Sequence, residues 1–219
     1  MTPGLFITGT DTNIGKTWTT LALMRYLRRK GYVVAAMKPV AAGCSWQDGR
    51  LVNQDALLLQ QHGSITPVYE QVNPYAFELP VSPHLACGET EVDPLVILSA
   101  YSALKRQADC VLVEGAGGWL SPLGLGLDNA GLAISLKLPV IVVVGMRLGC
   151  INQARLTVQA VKQTGITCAG WVAVEIEPRR TDYRANLDYL QKCLGLPLLA
   201  ELPHLQTADV DVLAGRFAF

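Results

Sequence analysis

Apolar positions along the chain follow two rhythms. Short runs at 5–8, 33–37, 110–113, 140–144 and 169–174 are hardly interrupted by polar residues. Between them lie longer stretches in which apolar residues recur every three or four positions. Unbroken β-branched and aliphatic runs without alternation are the mark of strands covered on both faces, as in a parallel sheet between helix layers. The stretches 16–29, 53–61, 94–106, 151–163 and 182–194 predict helices. In the first, Leu21, Met24 and Leu27 form an apolar stripe and Gly31 stops the helix. In the third, Leu98, Tyr101 and Leu104 are expected on the buried face, with Pro94 near the start where its missing donor costs little. Repeated strand–helix order predicts an α/β fold, a three-layer, doubly wound and mostly parallel sheet. No repeat, low-complexity tract or linker interrupts the pattern, so residues 1–219 are read as a single domain.

Composition narrows the functional classes. Half of the 219 residues are hydrophobic and only 16% are charged, which excludes a disordered chain. Eighteen Lys and Arg balance eighteen Asp and Glu without forming a block, so nucleic acid and anionic membranes are not expected partners. No apolar run reaches the roughly 18 residues of a membrane span, and Met1 leads into a strand without a leader-like segment. The six cysteines make no C-x-x-C pair and no metal-ligand spacing with the three histidines. Cys110 and Cys168 open strand-like runs and read as buried thiols, so a cytoplasmic protein is expected.

The strongest chemical signal is Gly9-Thr10-Asp11-Thr12-Asn13-Ile14-Gly15-Lys16-Thr17, between the first strand and the first helix. Backbone N–H groups and the positive end of a helix can surround phosphate oxygens there. Gly15 lets the main chain approach, Lys16 supplies charge to the β- and γ-phosphates, and Thr17 offers a hydroxyl to Mg²⁺. Five residues separate the two glycines instead of the usual four, making this a variant of the P-loop NTPase pattern.

Two further residues fall where open α/β sheets bind ligands, at or just beyond strand ends, and a third opens a short helix. Glu114 ends one strand and leads into Gly115-Ala116-Gly117-Gly118; it is read as a metal-side carboxylate, against the alternative of a helix cap. Lys38 follows the second strand, and reaching the phosphates competes evenly with snorkelling to solvent. Asp55, taken alone, is better read as a cap at the start of a short helix.

The ordered set of motifs resembles the dethiobiotin synthetase family. Besides the loop, it comprises Lys38-Pro39-Val40, Asn53 with Asp55-Ala56, Val72-Asn73-Pro74-Tyr75 and Ser82-Pro83-His84. It continues through Val113-Glu114-Gly115-Ala116-Gly117-Gly118-Trp119, Pro139-Val140-Ile141-Val142-Val143, Leu148-Gly149-Cys150-Ile151-Asn152 and Ala169-Gly170-Trp171-Val172. The resemblance implies P-loop NTPase architecture and an ATP- and Mg²⁺-dependent ring closure. Its substrates are 7,8-diaminopelargonic acid and CO₂, and its product is dethiobiotin, formed through a carbamate and a carbamic–phosphoric anhydride.

By that resemblance Thr17, Asp55 and Glu114 hold Mg²⁺, and Lys16 and Lys38 stabilise the transferring phosphoryl group. Asn13, Ile14, Gly15, Gly115, Gly117, Val174 and Pro203 join Lys16, Thr17 and Glu114 around the nucleotide. Thr12, Lys38 and Gly117 face the substrate, with Thr12 grouped with the lysines as catalytic. Leu148, Gly149, Cys150, Ile151 and Asn152 are expected to hold the substrate's tail across a symmetric homodimer. Two positions depart from the family's habit: Ala42 lacks a hydroxyl common there, and Val174 stands where an asparagine often reads adenine. Arg147, where lysine is common, reads as a retained surface charge. A regulatory or partitioning ATPase is the rival reading, although Asp11 occupies the place of that class's second lysine.

Overall fold

A computed structural model describes residues 4–178, 181–205 and 209–218. The reading of Met1 at the head of the first strand lies outside them. Six strands form one parallel sheet: β1 (Gly4–Gly9), β2 (Val34–Met37), β3 (Cys110–Glu114), β4 (Val140–Gly145), β5 (Cys168–Val174) and β6 (Leu198–Leu202). Their order across the sheet is β6-β5-β4-β1-β3-β2, every neighbouring pair being parallel. The helices used below are α1 (Lys16–Arg29), α2 (Gln54–His62), α3 (Pro94–Lys105), α4 (Asn129–Leu136), α5 (Cys150–Gln163), α6 (Tyr183–Leu194) and α7 (Val210–Ala214).

The absence of alternation in the strand sequences has a direct cause. In β3, Val111 and Val113 enter the core shared with α3, α4, α5 and α6, while Cys110 and Leu112 enter the opposite core with α1, α2 and α7. In β4, Val140, Val142 and Val144 face the first of these cores, and Ile141 and Val143 the second. Both pleat faces are apolar because helices cover both.

Helix boundaries follow cap chemistry more closely than apolar spacing. Asn53 is the N-cap of α2, its side chain accepting from Ala56 N at 3.2 Å, so the helix begins one residue after the expected position. The stripe of α1 is wider than expected, since Ala22, Leu23 and Tyr26 are buried beside Leu21, Met24 and Leu27. On α3, Ile97 takes a core position alongside Tyr101 and Leu104, and Leu98 is only half-buried. Three two-stranded pairings outside the main sheet, β6, α4 and α7 were not anticipated.

The topology decides where chemistry can gather. β2 and β3 lie on one side of β1, and β4 to β6 on the other, so β1 is the switch point of the sheet. Every strand is parallel to β1, which brings the ends Gly9, Met37, Glu114, Gly145, Val174 and Leu202 to one edge. Ile14 pins the loop after β1 onto that edge. Its side chain is 1% exposed, and a Cβ on Gly9 or Gly145 would lie 2.8 Å from it, so only glycine leaves room for this anchor.

Candidate phosphate-transfer site

The loop from Gly9 to Thr17 leads into α1 through Gly15, whose φ of 90° is left-handed and favours glycine. A cavity of about 760 Å³ opens beside it, with Thr12, Lys16, Thr17, Lys38, Asp55 and Glu114 among its lining residues. These six come from four separate parts of the chain, and the sheet edge is what joins them.

Glu114 is the centre of the arrangement. It has no exposed surface, and each oxygen accepts from a threonine on α1: Thr17 Oγ1 to Oε1 at 2.9 Å and Thr20 Oγ1 to Oε2 at 3.0 Å. Lys38 Nζ donates to Oε1 at 3.0 Å and also to Asp55 Oδ2. Glu114 therefore caps no helix, and Lys38, 8% exposed, does not snorkel. Asp55 is not the cap either, because Asn53 fills that role and leaves the Asp55 carboxylate turned to Lys38.

The surroundings fix Lys38 from behind. Asn73 Nδ2 donates to the Lys38 carbonyl at 2.7 Å; Tyr69 Oη donates to Asn73 Oδ1 at 3.0 Å and accepts from Asn53 N at 2.7 Å. Asn129, at the start of α4, holds the glycine-rich turn by donating to the carbonyls of Ala116 and Gly118, both at 2.7 Å, and accepting from Ala116 N. Neither Asn129 nor Thr20 was singled out from sequence. Thr20 carried a signal, since it lies one helical turn after Thr17; Asn129 carried none.

Charge in the site is strongly shaped by burial. Desolvation brings the Lys16 ammonium down to about 8, opposed by Glu114 and reinforced by Lys38. Lys16 Nζ donates to the Asp11 carbonyl at 2.7 Å. For Lys38, burial disfavours the charge, yet Glu114 and Asp55 outweigh it and raise its pKa above that of an ordinary lysine. The oxygen donors of Thr17, Asp55 and Glu114 suit a hard cation such as Mg²⁺, and the Lys38 ammonium bridging the two carboxylates already shows that they hold positive charge. No group of three or more His, Cys, Asp and Glu side chains suited to a metal occurs among the described residues.

Not every expected residue lines this cavity. Gly117 does, as do Asn13 and Gly15, and so does Ala42, which brings no hydroxyl. Gly115 does not; it packs against Asn129, whose Oδ1 would lie 2.6 Å from an added Cβ. Val174 and Pro203 line a second cavity of about 260 Å³, together with Asn13, Gly15, Trp18 and His204. Leu148, Gly149, Cys150, Ile151 and Asn152 line neither: Cys150 is buried in the core, while Leu148 and Asn152 are exposed. Arg147 is more than a surface charge. It pairs with Asp11 Oδ2, while Asp11 Oδ1 accepts from Thr12 N at 2.8 Å. The Thr12 bond and then Arg147 hold the Asp11 carboxyl below the usual carboxylate range.

A parallel sheet whose first strand feeds a Gly-Lys-Thr turn, with a buried acid ending the neighbouring strand, defines a P-loop nucleotide triphosphatase. A family model described as an AAA domain matches residues 3–210. The ATP-dependent dethiobiotin synthetase BioD of Aromatoleum aromaticum is 47% identical over 93% of this chain and 92% of its own length. The protein of the same name from Xanthomonas axonopodis pv. citri is 43% identical over 97% and 96%. The chain belongs to the ATP-dependent dethiobiotin synthetase family. Among solved structures, the MinD cell division protein of Aquifex aeolicus matches with a TM-score of 0.59 at 14% identity, covering 97% of this chain and 86% of that one. A ParA family ATPase from Chlorobium tepidum gives 0.57 at 12%, covering 97% and 90%; both likenesses speak to the fold alone.

Proposed function

We propose that this chain makes dethiobiotin from 7,8-diaminopelargonic acid, CO₂ and ATP. The observation that carries the reading is the convergence of Lys16, Lys38, Thr17, Asp55 and Glu114 on one sheet edge of a chain in this family. One amine of the substrate adds to CO₂ and loses a proton, giving a carbamate. A carbamate oxygen then attacks the γ-phosphorus, the bond to the ADP oxygen breaks, and a carbamic–phosphoric anhydride results. The second amine attacks the carbamoyl carbon, expels phosphate and closes the five-membered urea. No step needs a nucleophilic side chain; positioning and electrostatic stabilisation suffice.

The residue roles follow from that chemistry. Lys16 and Lys38 place positive charge at the phosphoryl group in transfer, and the loop backbone from Asn13 to Thr17 cradles the phosphates. Burial weakens the hold of Lys16 on its proton, and an incoming triphosphate favours its charged form. Thr17, Asp55 and Glu114 would hold Mg²⁺, which when bound neutralises charge on the β- and γ-oxygens. Thr12 and Gly117 border the space for the diamine.

The homodimer belongs to the same reading. Leu148 is 79% and Leu156 59% exposed, and Asn152 and Leu156 share a face of α5 by their four-residue spacing. Burying this face against a second copy would bring Asn152 and the N-terminus of α5 to the tail of the substrate. All six cysteines are free, which fits a reducing cytoplasm, and among the described residues no helix is long and apolar enough to cross a membrane.

Purified protein with ATP, Mg²⁺, bicarbonate and the diamino acid should yield the ureido product by mass spectrometry, with one phosphate released per ring. Phosphate release indifferent to the diamine would instead favour a switch ATPase. An active monomer in sedimentation under assay conditions would refute the shared site.

A further inference from the structure

Trp18 follows the metal-side Thr17 directly; it and Trp46, at 61%, are the exposed tryptophans, and of these two it is Trp18 that lines the cavities described above. Trp119 and Trp171 are 3% and 0% exposed, within the core. Trp18 is 38% exposed on the first turn of α1, and its side chain makes no hydrogen bond or ring contact among the described residues. A large aromatic left open on a functional helix is costly to solvate and available to a ligand.

Its position explains what that ligand is. Trp18, Asn13 and Gly15 line both the 760 Å³ cavity and the 260 Å³ cavity, so the two spaces meet at the loop. Lys16, Lys38 and Glu114 face the first cavity only. If the phosphates lie there, the rest of a nucleotide leaves past Gly15 and Trp18 into the second. That space is smaller than the about 300–1,000 Å³ of a pocket for a drug-sized molecule, and so suits a single ring system. Its walls are mostly apolar: Val174, Ile176, Leu202, Pro203 and Leu205. Val174 is pressed against the loop, its Cγ1 lying 2.8 Å from where a Cβ on Gly15 would be. It offers no hydrogen bond to a base edge.

We propose that Trp18 is a nucleobase-binding residue that holds the base of the triphosphate by stacking on the indole. This rests on the reading of the first cavity as the triphosphate site. Stacking exploits the π-face that every base has, so it tolerates any base, whereas hydrogen bonds to the base edge discriminate. Binding through Trp18 is therefore strong in the base and weak in its identity.

The test is equilibrium binding of ATP, GTP, CTP, UTP and inorganic tripolyphosphate, each with Mg²⁺, to the parent, Trp18→Ala and Trp18→Phe. Trp18→Ala is expected to weaken all four nucleotides roughly tenfold, within the about 5- to 150-fold that aromatic stacking spans. Tripolyphosphate, which has no base, should bind parent and Trp18→Ala alike, and Trp18→Phe should recover most of the nucleotide affinity. Quenching of indole fluorescence in the parent by nucleotides, and not by tripolyphosphate, is expected alongside. Equal weakening of tripolyphosphate and ATP would mean that Trp18 merely shapes the loop, and unchanged nucleotide affinity would mean that the base lies elsewhere; either overturns the proposal. Failure of the parent to bind both ATP and tripolyphosphate would overturn the triphosphate reading itself, and this proposal with it.

Discussion

Replacing Lys38 with Met isolates the charge at the centre of the site while keeping the length of the side chain. The ammonium now satisfies two carboxylates that differ sharply in their access to water. Asp55 has 38% of its side chain exposed, so solvent can take over its solvation when Lys38 is lost. Glu114 has none, and would be left with only the hydroxyls of Thr17 and Thr20 at 2.9 and 3.0 Å. Removing one partner of a buried ion pair costs about 3–5 kcal/mol because the other charge is stranded. The two remaining hydroxyl bonds place Glu114 at the lower end, about 3 kcal/mol. In a chain of this length that lowers Tm by roughly 6–12 °C.

The assay is thermal unfolding without metal, for the parent, Lys38→Met, Glu114→Gln and the double variant. If the loss comes from a stranded Glu114 charge, the double variant should be more stable than Lys38→Met alone, giving a coupling energy on the order of 2 kcal/mol. Added Mg²⁺ should raise Tm of Lys38→Met more than that of the parent, since a cation then replaces the missing ammonium. Turnover should remain low even with the fold restored, by about a hundredfold or more, because a charge aimed at the transition state is gone. A Lys38→Met protein that melts within about 1 °C of the parent, with additive behaviour in the double variant, would refute the reasoning.

Other consequences follow from the same geometry. Arg147→Ala should leave Tm nearly unchanged, because both members of its pair with Asp11 are more than a third exposed and such pairs contribute about 0–1 kcal/mol. It should raise KM for ATP by up to about fivefold through a loosened loop, with Arg147→Lys restoring it; an unaltered KM would remove Arg147 from the site. Val174→Asn should add a preference for ATP over GTP, CTP and UTP of at most roughly tenfold in kcat/KM, the value of one neutral hydrogen bond; strong ATP preference in the parent would show that adenine is read by other groups. Burial, with help from Asp109, pushes the Cys110 thiol up to about 11. Alkylation mapped by mass spectrometry should therefore find exposed Cys193 modified first and Cys110 only on unfolding. Because the raised value favours the neutral thiol in the folded chain, that stabilisation is complete below pH 9 and lost as pH climbs toward about 11, so Tm should fall across this window.

What could be read from the chain alone was whatever the sheet edge organises. Lys38 and Glu114 sit at or just past a strand end, and Lys16 and Thr17 open the helix that the loop after β1 feeds; parallel strands deliver such positions to one side whatever the intervening sequence does. Asp55 was ambiguous because an acid near a helix start can cap it; the choice was made by Asn53, a better-placed cap two residues earlier. The residues that escaped notice act across distances that local pattern does not encode. Asn129 braces the glycine turn from 13 residues away, and Arg147 reaches Asp11 across 136. Trp18 was hidden differently: within a strongly amphipathic helix a tryptophan reads as one more apolar residue, and only the cavity beside it shows that its ring faces outward. The two-stranded pairings were missed because two or three residues carry too little periodicity to separate from loop, and β6 because Glu201 interrupts its apolar run. Yet β6 supplies Leu202 to the second cavity, and the residues just after it supply Pro203, His204 and Leu205. The phosphate end of the site is thus written in local motif, where backbone geometry leaves little freedom. The end proposed for the base is written in tertiary packing, which is what brings Val174 and Trp18 to the walls of one cavity.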